Sequence, residues 1–534
     1  FKVDIKEFVT LSQLAYEIWA CTITSYCPYR DTTVPPPISE INPKEEITIE
    51  IPDEKKYKLC KKSIIGGVVI PSKRKFESTQ YKDVAFGNTN YADIEDYALL
   101  LDVCSLYPDA MANYNYPCGD SHFIGPQDSE LYVLQSALNA TNNFKGLDGL
   151  PCGIFVVDII TNKQLIIPTF PYKEWIEEPF TNDIRCKNGL KWDLRDQVNA
   201  VATMVDCWRM VQHGYKVRLR EGIVWKEKKR IFKEYVDMVW GIKETGEREG
   251  KMSIRIIGKN LLNALFGKTA QRPIRHSHIR AENRRQIEKF LSKHRWSDAI
   301  FLSNSQQDVL LKGDNKSLTN IITKPMQIGA HVLAYSRLIM DKFRWIVDPW
   351  QTTNYMKSLD ACQFYQDTDS LFIRIRNDKN FSNHDVMERL KHVIKKNTLG
   401  FLSNDLKDDG KIIKAVFLAP KTYSFIYINP KNEIIEKVKS KGVTSKYISF
   451  DNMLQWLEEG KCETGVKMET IRRVGPKEIS TDNDTYPPFS MVKVPTERNP
   501  MKQLWNGRDF ESVKEYTPHD ASVPWYFQFP DEDM

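Results

Sequence analysis

The sequence predicts a chain of mixed strand and helix, and three stretches carry that expectation. "YALLLDVCSLYP" (Tyr97–Pro108) is an apolar run that delivers Asp102 to a turn. "CQFYQDTDSLFIRI" (Cys362–Ile375) alternates apolar residues around Asp367 and Asp369. "KMSIRIIGKNLLNALFGKTAQRP" (Lys251–Pro273) carries its apolar residues at helical spacing.

The first stretch reads as a buried strand with a carboxylate at its end, although an aspartate capping a strand is common. In the second, Phe364, Leu371, Ile373 and Ile375 mark the two arms of a hairpin with Asp367 and Asp369 at its tip. That tip reads two ways. Asp and Thr are ordinary turn residues, because their side chains bond nearby backbone. Carboxylates this close also repel, and a divalent cation relieves the repulsion while using their oxygens. Mg2+ takes one or two protein carboxylates and completes its shell from water and substrate phosphates. The hairpin is then half a site, and Asp102 is the candidate for the other half.

In the third stretch Lys251, Arg255, Lys259 and Asn263 recur every four residues. On a helix they share a face within about 120°, since each step of four residues drifts about 40°. Ile257, Leu261, Leu262 and Leu265 point largely away. Three cations on one face with no acid between them suit a polyanion such as a triphosphate; a plain solvated face is the alternative.

Bulk properties exclude some classes. The chain has 534 residues, enough for several domains, with 41% apolar and 27% charged residues, an ordinary globular composition. Its longest apolar runs fall far short of a membrane span, so no membrane partner is expected. No signal peptide is visible, and an opening Phe1 in place of Met is expected of a fragment or a processed product. Ten cysteines are scattered without a Cys-x-x-Cys pair. That argues for an intracellular, reducing compartment and against a zinc ribbon or a disulfide scaffold. Virion, nucleus, cytoplasm and mitochondrion are not distinguished. The net charge is only +6, but between Arg272 and Asp298 eight Lys/Arg face three acids, which suits either a phosphate backbone or a solvated helix face. His276, His278 and His294 in this segment lack metal-ligand spacing.

Along the chain, residues 1–30 read as compact structure and 31–58 as a linker, with four prolines in "VPPPISEINPKEE". "IIGGVVI" (Ile64–Ile70) reads as a strand entered through a close backbone approach at Gly66 and Gly67. Val198, Val201, Val205 and Trp208 read as one face of a helix. The last sixty residues, rich in proline and aromatics ("TYPPF", "VPWYFQFP"), read as a wrap over other parts.

"DVCSLYP" (Asp102–Pro108), "KNLLNALFG" (Lys259–Gly267) and "YQDTDS" (Tyr365–Ser370) stand in the order and form of the three polymerase motifs of B-family DNA polymerases, which this chain resembles. "APKTYSF" (Ala419–Phe425) holds a Lys-x-Tyr element, Lys421 and Tyr423, and "KSKG" (Lys439–Gly442) resembles the basic element after it. "YPCG" after the first motif and "IGAHVLAYSR" (Ile328–Arg337) are typical of the protein-primed branch, the polymerases of adenoviruses, small tailed phages, linear plasmids and Polinton-like elements. The resemblance runs from about residue 61 to residue 445. Three departures stand out. The middle motif, usually Asn-Ser-x-Tyr-Gly, has Ala264 and Phe266. Gln366 stands where Gly or Cys is usual. Ile64-Ile65-Gly66-Gly67 replaces a Tyr-x-Gly-Gly element.

The resemblance implies an α+β right-hand polymerase, with an antiparallel-sheet palm, helical fingers and a thumb. Its expected layout is an N-terminal segment and linker at 1–60 and the first part of the palm at 61–125. An insertion at 126–249, fingers at 250–273 and a basic insertion at 274–325 follow. The second part of the palm at 326–425 and a thumb with C-terminal wrap at 426–534 complete it. It implies two Mg2+ ions, with Mn2+ a possible substitute, held by Asp102, Asp369 and the Val103 carbonyl, and Asp367 nearby as the third catalytic carboxylate. Lys259, with Arg255 and Lys251, would hold the triphosphate, alongside Ser105 and Leu106. Tyr107 would lie under the deoxyribose, with Asn263 and Phe266 lining the base-pair pocket. Thr368, Lys421, Tyr423, Lys439 and Lys441 would contact DNA. The implied partners are primer-template DNA, dNTPs and a terminal protein or other protein primer, and the basic insertion is implied to encircle DNA. A polymerase-derived scaffold with little activity is the alternative. Reverse transcriptases and viral RNA polymerases usually carry adjacent aspartates on their hairpin, whereas Thr368 separates them here. No proofreading is expected of this chain: the one Asp-x-Glu candidate, Asp93-Ile94-Glu95, reads as a surface turn.

Overall fold

A computed structural model describes residues 10–23, 47–140, 146–165, 167–177, 184–187, 189–273, 276–301, 309–315, 321–347, 363–376, 390–440, 445–459, 466–474 and 490–498. The chain divides into two compact units.

The first unit comprises residues 68–103, 164–168 and 343–534. Its centre is a nine-stranded antiparallel sheet. Along one path the strands run Val69–Pro71, Gln363–Asp367, Ser370–Arg376, Asp96–Val103, Lys411–Ala419, Thr422–Ile428 and Ile434–Lys439. The short strands Lys75–Glu77 and Leu402–Asn404 pair at the sides. Asp96–Val103 lies within the sheet, and all but one of its residues are buried, which is why it reads as a continuous apolar run and not as an alternation. Its register sets Asp102 opposite Ser370 and Leu100 opposite Phe372. On one sheet face Ala98, Leu100, Phe364, Phe372, Phe417 and Phe425 form an aromatic core. Val416 and Leu418 pack instead with Phe450, Met453 and Leu457 of helix Phe450–Glu459. Each such side chain contributes about 1.5–3 kcal/mol on full burial. Asp96 is fixed by Arg374, whose Nε and Nη2 donate to its two oxygens at 2.8 and 2.9 Å.

Several expectations need correction here. Of "IIGGVVI" only the end is strand, within Val69–Pro71. A Cβ on Gly66 would reach only Leu190 Cδ1 at 4.0 Å, so no close approach dictates that glycine. The 425/426 boundary falls inside strand Thr422–Ile428, and the sheet continues through Ile434–Lys439. Asp93 and Glu95, by contrast, are exposed beside a 3-10 turn, Tyr91–Asp93, as the surface-turn reading expects. Strands Val466–Val474 and Ser490–Arg498 pair with each other. "TYPPF" and "VPWYFQFP" lie outside the described residues.

The second unit comprises residues 1–67, 104–163 and 169–342. A four-stranded antiparallel sheet runs in the order Tyr116–Ile124, Lys216–Lys229, Cys152–Ile160, Gln197–Thr203. The expected helix through Val198 and Trp208 is a strand followed by a helix, Met204–Gln212. Thr203 caps that helix, its Oγ1 accepting the Asp206 N–H at 3.1 Å. Asp206, Arg209, Arg337 and Asp341 form a buried tetrad. Arg337 Nη2 donates to Asp206 Oδ2 at 2.7 Å, and Arg209 Nε to Asp341 Oδ2 at 2.7 Å. Arg337 also donates to the carbonyls of Ile65 and Gly66, which holds the Ile64–Gly67 stretch out of any sheet. Within the expected 31–58 linker, helix Glu54–Ser63 begins at an Asp53 cap.

Helices Lys233–Arg248 and Met252–Thr269 form a hairpin, so the helical element expected from residue 250 starts at Lys233. Two glycines let the helices touch. A Cβ on Gly246 would stand 2.5 Å from the Arg255 nitrogen, and one on Gly258 2.9 Å from the Lys243 nitrogen. The basic insertion folds as strands His276–Ala281, His294–Phe301 and Val309–Asn315 with helix Arg284–Lys293. Phe290, Ala281, Val309 and Leu311 give it a core of its own. Among the described residues no helix is long and apolar enough to cross a membrane.

Candidate active site

The carboxylates of the nine-stranded sheet gather where its strands end. Asp102 is the penultimate residue of its strand, and the Val103 N–H donates to the Asp369 carbonyl at 2.8 Å. Asp367 and Asp369 flank Thr368, and the Asp369 N–H closes a three-residue turn on the Asp367 carbonyl at 2.7 Å. The strand Leu402–Asn404 sets Ser403 opposite Asp102 and brings up Asp405, whose N–H donates to the Leu100 carbonyl at 2.9 Å. Tyr423 lies among these groups. Its hydroxyl is pushed well above the usual phenol range, first by burial and then by the negative charges of Asp367, Asp405, Asp102 and Asp369. Asp369 is likewise pushed above the usual carboxylate range by burial, then by Asp367 and Asp405, against the pull of its own backbone N–H and of Lys421.

Lys421 sits in the tight turn between Lys411–Ala419 and Thr422–Ile428. Its Nζ donates to Asp367 Oδ1 at 2.6 Å, and its backbone N–H donates to the Tyr365 hydroxyl at 2.7 Å. Tyr365 thereby ties the two turns together. Lys439 stands opposite Tyr423 in the neighbouring strand. Lys441 lies outside the described residues.

Backbone geometry marks the same places. Eight non-glycine residues have positive φ among those described, and five of them are Asn or Asp, which tolerate it. The other three are Ser105 (φ 58°), Thr368 (φ 61°) and Lys421 (φ 65°), one in each of three sequence motifs. A left-handed conformation costs a residue with a Cβ about 1–2 kcal/mol, so the strain is concentrated at these turns.

The remaining predicted residues lie in the second unit. Ser105 precedes helix Leu106–Asn113 in the left-handed conformation. The Leu106 side chain is buried and faces the core, so only its backbone at the helix start is available to a ligand. The Tyr107 ring stacks on Phe266, centroids 4.6 Å apart and planes 19° apart. Lys251 is corrected to the residue before helix Met252–Thr269, paired with Glu249 at 2.9 Å. Arg255 is half-buried, 3.9 Å from Glu247, whereas Lys259 and Asn263 are exposed on the helix. Sequence reading missed Asp405 and the linking role of Tyr365. It also missed Lys243, a buried cation over the Trp240 ring at 3.6 Å.

Among the described residues no three His, Cys, Asp or Glu side chains form a closed metal site. Mg2+ needs only one or two protein carboxylates and takes the rest of its shell from water and phosphate. Four carboxylates outnumber the ammonium groups seen beside them, Lys421 on Asp367 and Lys437 3.8 Å from Asp405, and a divalent cation would neutralise the surplus, so the donor set fits.

The fold class is α+β, of the right-hand B-family polymerase type. It is similar to Phi29 DNA polymerase complexed with primer-template DNA, with a TM-score of 0.52 and 16% identity, covering 92% of this chain and 68% of that one. The ternary complex of the same polymerase with primer-template DNA and incoming nucleotide substrates gives 0.52 and 15% over the same shares. Residues 1–345 match the family of DNA polymerases type B, organellar and viral, and the chain belongs to that family. Relatives include a probable DNA polymerase of Ascobolus immersus, 26% identical over 348 residues, 64% of this chain and 24% of the relative. The DNA polymerase of Kluyveromyces lactis is 24% identical over 445 residues, 80% of this chain and 37% of the relative. That of Bovine adenovirus 2 is 21% identical over 536 residues, 83% of this chain and 49% of the relative. The chain thus spans between a quarter and a half of these relatives' length.

Proposed function

We propose that this chain is the polymerising part of a protein-primed type DNA polymerase, adding dNTPs to a primer 3′-hydroxyl under the direction of a template. The observation that carries the reading is the gathering of Asp102, Asp367, Asp369 and Asp405 at adjoining strand ends, beside Lys421. Asp102, Asp369 and the Val103 carbonyl would hold two Mg2+ ions, or Mn2+ in their place. When bound, such ions neutralise charge on the attacking and leaving oxygens of phosphoryl transfer.

The chain's own residues do the positioning. Lys259, assisted by Arg255 and Lys251, takes the charge of the incoming triphosphate. The Tyr107 ring, which stacks on Phe266, would bar a ribose 2′-hydroxyl, and Asn263 would line the base-pair pocket. Lys421 exchanges the Asp367 carboxylate for a primer phosphate, and Tyr423, Thr368 and Lys439 hold the same strand. Partners are primer-template DNA, dNTPs and a terminal protein or other protein primer. The compartment is intracellular and reducing, in keeping with seven free cysteines among the described residues. The test is primer extension by the purified chain with Mg2+ and with EDTA. Template-dependent products in the first and none in the second are expected, and a wild-type chain that extends no primer rejects the reading.

A further inference from the structure

Helix Leu106–Asn113 ends beside a cavity of about 230 Å³ within the second unit. The helix end at Asn113 and Tyr114, the loop 147–152, the strand end at Lys228 and Arg230, and Lys342 of helix Met326–Val347 wall it. Its lining holds three cations, Lys228, Arg230 and Lys342, against one carboxylate, Asp148. Two of the cations serve the fold. Lys228 Nζ donates to the Asp148 and Leu150 carbonyls at 2.5 and 2.8 Å, and Lys342 Nζ donates to the Tyr114 hydroxyl at 2.8 Å. An ammonium has three N–H groups, so each keeps at least one to give. Arg230 differs from both. It is exposed, and among the described residues no hydrogen bond or ion pair holds it.

A helix C-terminus draws cations by its dipole, which accounts for Lys342. Lys342 also faces the charge of Asp109, one turn back on the helix and bonded to Asn113 Nδ2 at 2.7 Å. Neither fact brings Arg230 to the cavity, and positive charge exceeds negative there even with Asp109 counted. Arg meets phosphate through two parallel N–H bonds and Lys meets it as a point charge, so one guanidinium with two ammoniums suits a tetrahedral anion of several oxygens. Size narrows the choice. Sites for drug-sized ligands run from about 300 to 1,000 Å³, so this cavity suits a single small group. A terminal phosphate is small and carries nearly two charges at neutral pH, whereas a backbone phosphodiester carries one and brings a polymer with it. We propose that the cavity binds a terminal phosphate dianion, from free phosphate or from a nucleoside monophosphate, with Arg230 as its main ligand and Lys228 and Lys342 beside it. The site lies outside every residue assigned to nucleotide addition, and it stands whether or not the chain extends a primer.

The test titrates the full chain calorimetrically at low salt, with EDTA to keep metal from the carboxylate cluster. The probes are inorganic phosphate, dTMP, the dinucleotide TpT without a terminal phosphate, and acetate. Phosphate and dTMP should bind, and TpT and acetate at least about tenfold more weakly. Arg230→Gln should weaken phosphate binding about tenfold, because a charge-assisted contact is lost. Asp148→Asn removes the one carboxylate of the lining and should tighten it about threefold. Both side chains are exposed, so both variants should unfold at the wild-type urea midpoint, and the opposite signs exclude a packing defect. Equal affinities for phosphate and dTMP would support a site for the phosphate group alone, and tighter dTMP a nucleotide site. A wild-type chain that binds neither, or binding that Arg230→Gln leaves unchanged, overturns the proposal. So does TpT or acetate matching phosphate, which would mean an open cationic face. A tenfold loss in Lys259→Ala would place the binding on the triphosphate helix and overturn it as well.

Discussion

Two charge clusters organise this molecule, and they are built on opposite principles. The tetrad Asp206, Arg209, Arg337 and Asp341 balances two anions with two cations, all buried and joined by short hydrogen bonds. The cluster of Asp102, Asp367, Asp369 and Asp405 sets four anions against Lys421 and Lys437, at the ends of strands and on turns with left-handed residues. The first is balanced in charge within the fold. The second keeps an excess of negative charge, and Asp369 is raised first by burial and then by its carboxylate neighbours. A charge cluster that cannot close within the fold is the one to read as functional.

The comparison breaks most directly by removing one charge from each cluster. Asp102→Asn or Asp369→Asn should lower nucleotide addition at least about a thousandfold, roughly 4 kcal/mol of barrier. It should leave the midpoint of urea unfolding unchanged or slightly higher, because a repulsion is relieved. Near wild-type extension by either variant would reject the two-metal assignment. Arg337→Met should behave in the opposite way. It takes the two-pronged partner from buried Asp206, leaving Arg209 and the Thr203 hydroxyl, and about 3–5 kcal/mol of stability should go with it, read from denaturant unfolding. A loss below about 1 kcal/mol would mean the tetrad is not the structural lock described.

The cationic helix face sharpens the same contrast, since Lys259 is exposed and not matched by a carboxylate among the described residues. Lys259→Ala should cost about a hundredfold in kcat/KM for dNTP, with little change in stability. A change below about threefold would return the helix to an ordinary solvated face. Tyr107→Val should narrow the preference for deoxyribonucleotides over ribonucleotides by about tenfold or more, measured as a ratio of kcat/KM values. An unchanged ratio would remove Tyr107 from that role, and Phe266, which stacks on it, with it.

What was legible in the sequence follows the same division. Asp102, Asp367 and Asp369 stand out because each interrupts a run of apolar strand residues, and Lys259 because its helix repeats at a fixed period. Asp405 follows a strand of three residues, Leu402–Asn404, too short to leave any periodic signal, and its value to the site comes entirely from tertiary pairing with Val103 and Asp102. Val198 to Trp208 misled for another reason. Apolar residues three to four apart fit a helix face, yet Thr203 with Asp206 three residues on is a helix start, and the valines before it belong to a strand. Lys243 is buried by Gly258 on the facing helix, an approach that no single helix announces.

The smallest effect concerns the turn itself. Thr368 is β-branched and left-handed at φ 61°, its N–H donates to the Val68 carbonyl at 2.8 Å, and its Oγ1 lies 3.4 Å from Asp367 Oδ1. Thr368→Gly removes a left-handed cost of about 1–2 kcal/mol. It also frees the unfolded chain, which costs about 0.5–1 kcal/mol. Net stability should therefore move by less than about 1 kcal/mol, because the two terms nearly cancel. Activity should not be spared in the same way. With glycine between them, Asp367 and Asp369 lose the stiffness of a residue with few allowed conformations, and kcat/KM for primer extension should fall about three- to tenfold. The two measurements together discriminate. A stability loss beyond about 2 kcal/mol would show that the threonine side chain holds the turn through its own interactions. Unchanged activity with unchanged stability would show that the strain at this turn has no part in positioning the carboxylates.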